Sequence, residues 1–154
     1  MNPSTTEGTV RLLEYYSTSD EVFIPDRIKL GDYYYKIEAV CQKAFRGCPN
    51  LRRLVCSDEI RSLEERCFAS NVRLEEIVIG KNVRYIGKEA FGDCPRLKIL
   101  IFKSDRRLKI DRRAFEKANS RLTCLVPSTL RSRYVRLLDR VIREKNMKIS
   151  EIRS

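Results

Sequence analysis

Residues 74–94 read LEEIVIGKNVRYIGKEAFGDC, and this stretch recurs along the chain. Shifted 23 residues towards the N-terminus, it falls on 51–71, LRRLVCSDEIRSLEERCFASN. Two apolar ladders run in step through the copies. Phe45, Phe68, Phe91 and Phe115 lie 23, 23 and 24 residues apart, and Leu51, Leu74, Leu97 and Leu122 lie 23, 23 and 25 apart. A fixed period of this length marks a solenoid, in which no unit can bury its apolar side alone and each neighbour completes the core of the last.

The anatomy of one unit follows from its apolar spacing. Leu74, Ile77 and Ile79 have the L-x-x-L-x-L spacing of a leucine-rich-repeat strand, with these three side chains turned inward. Gly80–Asn82 makes a turn, Val83 and Ile86 return to the core, and the spacing predicts one or two helical turns over Lys88–Cys94 that insert Ala90 and Phe91. Stacking at about 4.8 Å per unit gives a short parallel sheet. Its outward positions then read Arg53, Glu76, Ile99 and Cys124 in one column and Val55, Val78, Ile101 and Val126 in the next. The expected fold is α+β: a short leucine-rich-repeat solenoid of about four units of 23 residues, closed by an N-terminal β cap and a C-terminal capping helix.

The flanks set the expected boundaries. Residues 1–7 are polar and expected to be disordered, and 8–154 form a single domain. Within it, GTVRLLEYY, EVFIP and YYYKIEAV read as short strands of an N-terminal cap over 8–40, the repeats fill 41–126, and 127–154 form a helical cap. Alternation puts Tyr33, Tyr35 and Ile37 on one core-facing side. In 127–146, PSTLRSRYVRLLDRVIREKN, Pro127 stops the last strand and Ser128 or Thr129 caps a helix. Leu130, Tyr134, Leu137, Leu138, Val141 and Ile142 recur at helical spacing to seal the last unit.

The copies AFRGCPNLRRLVC, CFASNVRLEEIVI and AFGDCPRLKILIF share the pattern A-F-x-x-C-x-x-L-x-x-I-x-I, which resembles the BspA-like leucine-rich repeat family. The flanks are similar too: a Gly-Thr opening strand, Ile24–Pro25, the entry at Tyr35–Ile37, and a closing V-P pair at Val126–Pro127 followed by Tyr134. The resemblance covers roughly residues 8–152. It implies the solenoid fold and, since many such proteins are surface-exposed, a role in adhesion or protein recognition.

Composition narrows the chemistry. The 154 residues contain no histidine, which excludes a His-based triad or a His-ligated metal. The six cysteines form no close C-x-x-C pair; Cys48 and Cys94 share a repeat position with Asn71 and Asn119, which predicts free, buried, structural thiols. Asp58–Glu59, Glu64–Glu65 and Glu75–Glu76 are sequence neighbours that point to opposite faces of a strand, so they share no proton. Phosphate loops, dinucleotide fingerprints and nucleophile elbows are absent. No enzyme activity, metal or cofactor is expected. The N-terminus lacks an early positive charge followed by an apolar core. A native Met1 therefore implies the cytoplasm, and a leader removed upstream implies a cell-surface or secreted protein.

Two surfaces remain as candidates. The net charge of +11 is carried almost wholly by one end: residues 1–102 hold 16 Lys+Arg against 15 Asp+Glu, and 103–154 hold 16 against 6. The first candidate is the strand face, where Arg53, Val55, Glu76, Val78, Ile99 and Ile101 present an apolar stripe flanked by charge to a protein partner. Self-association through the same stripe would make a homo-oligomer. The alternative is nucleic acid, or another polyanion, on the basic C-terminal third: Arg106, Arg107, Lys109, Arg112 and Arg113 before the helix, with Arg136, Arg140 and Arg143 on its solvent side.

Overall fold

The computed structural model describes residues 6–104, 107–119, 121–141 and 148–152. The chain opens with β1 (Thr6–Leu12), β2 (Glu21–Ile24), β3 (Arg27–Leu30) and β4 (Tyr33–Val40). The repeats follow as alternating longer and shorter strands: β5 (Arg53–Cys56) and β6 (Ser62–Leu63), β7 (Glu76–Ile79) and β8 (Tyr85–Ile86), β9 (Ile99–Phe102) and β10 (Lys109–Ile110), and then β11 (Thr123–Val126). A 3-10 turn at Ser128–Leu130 leads into α1 (Arg131–Val141), and β12 (Lys148–Glu151) ends the described chain.

As far as β10, successive coils contribute one strand to each of two sheets. The longer strands form a parallel sheet in the order β12-β11-β9-β7-β5-β2. The short repeat strands, with β1 and β4, form a second sheet, β1-β4-β6-β8-β10, in which β3 pairs antiparallel to β4. Alternation places Leu54, Ile77 and Leu100 of the first sheet and Leu63, Ile86 and Ile110 of the second in one continuous core. The phenylalanine ladder runs through that core, Phe68 to Phe91 at 5.9 Å and Phe91 to Phe115 at 5.2 Å between ring centroids.

The solenoid has about six turns, not four. The N-terminal segment is a coil of its own: β2 pairs in register with β5, Glu21 to Arg53, as β5 does with β7, Arg53 to Glu76. Tyr15 supplies a first rung to the aromatic ladder, 4.8 Å from Phe45. Its N–H donates to the Ala44 carbonyl just as those of Phe45 and Phe68 donate to Cys67 and Ala90. The rung is invisible to a 23-residue period because the β3–β4 hairpin is inserted between it and Phe45. That insertion also leaves Tyr33 and Tyr35 half-buried while Ile37 reaches the core.

Lys88–Cys94 is a pair of turns where the apolar spacing predicts helix. Glu89 and Asp93 have φ of 52° and 53°, and Lys43, Arg66 and Ser70 hold the matching conformation in earlier copies. Left-handed residues at this spacing prevent helical hydrogen bonding from propagating. The N–H groups of Glu89, Phe91 and Asp93 point instead to the Arg113, Ala114 and Glu116 carbonyls of the next coil. Successive coils are thus tied by hydrogen bonds here as well as in the sheets.

At the C-terminal end Tyr134 and Leu138 of α1 are buried against the last coil. Tyr134 lies 5.1 Å from the Phe102 ring and donates its hydroxyl to the Ser104 carbonyl. Ile142, Arg143 and Lys145 lie outside the described residues. Beyond them the chain is strand where the helical cap was expected, since β12 pairs with β11 from Thr123–Lys148 to Val126–Glu151. This satisfies one side of β11 that would otherwise be an open edge.

Candidate functional site

The outward face of the longer-strand sheet carries two columns. Register aligns Glu21, Arg53, Glu76, Ile99, Thr123 and Lys148 in one, and Phe23, Val55, Val78, Ile101, Leu125 and Ser150 in the other. The expected fourth members, Cys124 and Val126, are wrong by one position: both are fully buried, and Thr123 and Leu125 face outward. Thr123 follows Phe115 by eight residues as Ile99 follows Phe91, whereas Leu122 lies one residue nearer its strand than Leu97 does, so counting from Leu122 exchanges the two faces.

The apolar column therefore spans five adjacent strands, from Phe23 to Leu125. Phe23 was missed in the sequence because its strand lies outside the 23-residue period, yet it is the most prominent member, 62 % exposed. Val55, Ile101 and Leu125 are half-buried, whereas Val78 at the centre is only 3 % exposed and offers a partner almost no area. Ile99 is half-buried beside them.

Arg53 is held, not free. Its Nε donates to Glu76 at 2.8 Å, its Nη1 to Glu21, and its guanidinium lies 5.9 Å from the centre of the Phe23 ring. Hydrogen bonds to Glu76 and then Glu21 raise its pKa. The triad bears one net negative charge at the rim of the apolar column.

The basic residues separate into different settings. Arg113 is engaged by carboxylates, its Nε with Glu116 and its Nη2 with Glu89 at 3.4 Å. Arg136 is exposed on α1. Arg107, Lys109, Arg112 and Arg140 come together around a groove of about 670 Å³ between β10 and α1. Arg106 and Arg143 lie outside the described residues. No group of three or more Cys, Asp or Glu side chains suited to a metal occurs among the described residues. All six cysteines are buried.

A model of the BspA-type leucine-rich repeat region matches residues 19–134 with six copies. The chain belongs to this family. Among solved structures, a leucine-rich repeat protein from Bacteroides capillosus superposes with a TM-score of 0.70 at 24 % identity, over 79 % of this chain and 89 % of that one. A leucine-rich cell surface protein from Faecalibacterium prausnitzii gives 0.53 at 18 % identity, over 78 % of this chain and 33 % of its own. The pneumococcal vaccine antigen PcpA gives 0.52 at 20 %, over 91 % and 42 %. This BspA-type chain thus spans less than half the length of the latter two, and at these identities the likeness shows the fold. No curated protein sequence matches it. No described helix is long and apolar enough to cross a membrane.

Proposed function

We propose that this leucine-rich repeat chain is a non-enzymatic interaction module that binds a protein partner through the outward face of its longer-strand sheet. The observation that carries the reading is the five-strand apolar column ending in exposed Phe23. An aliphatic stripe capped by an aromatic side chain supplies contact area, and the Glu21–Arg53–Glu76 triad supplies a charged rim that selects among partners. The Faecalibacterium relative is a cell surface protein, which favours a location outside the cytoplasm for such a module.

The test is retention of partners from the native host on the immobilised chain, with nuclease present, at low and high salt. Phe23→Ser together with Val55→Asp is expected to weaken a salt-resistant protein partner by about tenfold or more, as removal of an aromatic anchor does. Unchanged retention by a folded double variant would overturn the reading. Capture that requires nucleic acid and disappears at high salt would favour the polyanion alternative.

A further inference from the structure

The two sheets end differently. The longer-strand sheet continues past β11 to β12, but the other stops at β10, and among the described residues no strand pairs with its far edge. The coil that would have supplied the next short strand supplies α1 instead, and the groove of about 670 Å³ lies between α1 and β10. Its volume is within the usual range for ligand sites.

The walls of this groove have a definite character. Leu108 and Ile110 form an apolar floor, 7 % and 8 % exposed, joined from the helix by half-buried Leu137 and Val141. Arg107, Lys109, Arg112 and Arg140 stand exposed around it, and among the described residues no carboxylate lines it. Elsewhere Arg11, Arg53, Arg66 and Arg113 each meet a glutamate. The four groove cations form no ion pair with another described residue. An open edge, an aliphatic floor and a cationic rim together specify an extended chain with aliphatic side chains on one face and carboxylates on the other.

We propose that the groove between β10 and α1 binds an extended acidic peptide segment of a protein partner, laid alongside β10. Main-chain pairing with the open edge supplies orientation. Aliphatic side chains at alternate positions meet Leu108 and Ile110, and Asp or Glu between them meet Arg107, Lys109, Arg112 and Arg140. A nucleic acid would use the cations but leave the apolar floor uncovered, and among the described residues no aromatic side chain lines the groove for bases to stack on. The groove and the longer-strand face are separate surfaces, so either assignment stands or falls without the other.

The experiment is fluorescence anisotropy of a labelled peptide of alternating Asp and Val with the full chain. Its comparators are a peptide of alternating Asp and Ser and a single-stranded oligonucleotide of equal charge. Arg107→Glu with Arg112→Glu is expected to weaken the Asp/Val peptide by about tenfold or more, while Arg46→Glu with Arg73→Glu, an equal charge change on distant exposed positions, leaves it within about twofold. The Asp/Ser peptide is expected to bind more weakly than Asp/Val. Arg140→Glu alone repeats the first comparison from the helix side, should the double variant unfold. Equal weakening by both double variants, equal binding of the two peptides, displacement by the oligonucleotide at equal concentration, or no binding of the Asp/Val peptide would each overturn the proposal.

Discussion

The side-chain oxygen of Asn71 accepts a hydrogen bond from the Cys48 N–H of the preceding coil at 2.8 Å. Its nitrogen donates to the Phe45 and Phe68 carbonyls at 2.8 and 2.7 Å, so one fully buried amide closes two coils together. In the next coil the matching residue is Cys94, whose thiol reaches the same Phe68 carbonyl at 3.3 Å. Asn71→Leu is expected to lower unfolding free energy by about 3 kcal/mol, because the Cys48 N–H and the Phe45 carbonyl lose their side-chain partner in a dry interior and the Phe68 carbonyl keeps only the weak Cys94 thiol. Asn71→Cys, which keeps one weak donor, is expected to cost less. Urea unfolding of the two variants checks the order, and equal stability of Asn71→Leu and the parent would refute it.

Two positions of the repeat sit in the left-handed region. Lys43, Arg66 and Glu89 form one series, with φ between 52° and 60°; Gly47, Ser70, Asp93 and Lys117 form the other. Only Gly47 has the residue that takes this conformation without steric cost. Asp93 and Lys117 are exposed, and glycine there relieves backbone strain at the cost of extra entropy in the unfolded chain. Asp93→Gly and Lys117→Gly are each expected to stabilise by about 0.5 kcal/mol, seen as a small rise in thermal midpoint. A fall for both would show that side-chain contacts at these sites outweigh the strain.

The same backbone explains what could be read from the residues and what could not. Phe45 to Phe115 and Leu51 to Leu97 announce the solenoid because stacking forces one apolar residue per coil into each ladder. Tyr15 escapes because the β3–β4 hairpin displaces it from the period while leaving it in the ladder. The inward residues of the repeat are legible from spacing alone, whereas Leu125 emerges only when the last strand is counted from Phe115 and not from Leu122, as its register with Ile101 shows. The groove depends on where α1 rests against β10, a long-range placement that no local pattern encodes. Candidate sites were hardest to locate where the repeat is broken.

Gly80 is a contact between coils. A Cβ there would press into the Ser57 carbonyl oxygen, and one at Gly87 would lie 2.8 Å from the Glu65 backbone nitrogen. Gly47 differs, with φ of 76° and open space around it. Gly80→Ala is expected to destabilise by about 3 kcal/mol, since backbone must move apart, and Gly47→Ala by about 1 kcal/mol from conformation alone. Chemical denaturation of both separates the steric effect from the conformational one; a larger loss at Gly47 would reverse the assignment.

The buried thiols make stability fall on the alkaline side. Burial pushes Cys56, Cys94 and Cys124 up to about 12, from a reference of 9.0. In the unfolded chain these thiols release their protons from about pH 9, while the folded chain retains them. Between these values the unfolded state binds fewer protons, so stability decreases as pH rises; below about pH 9 their full contribution is present. Each such thiol steepens the decline by about 1.4 kcal/mol per pH unit. The urea midpoint followed from about pH 8 to about pH 11 is expected to fall less steeply in Cys124→Ala than in the parent. The two proteins differ only at residue 124, so the difference isolates the thiol. Parallel curves would show that Cys124 ionises in the folded chain as readily as in the unfolded one.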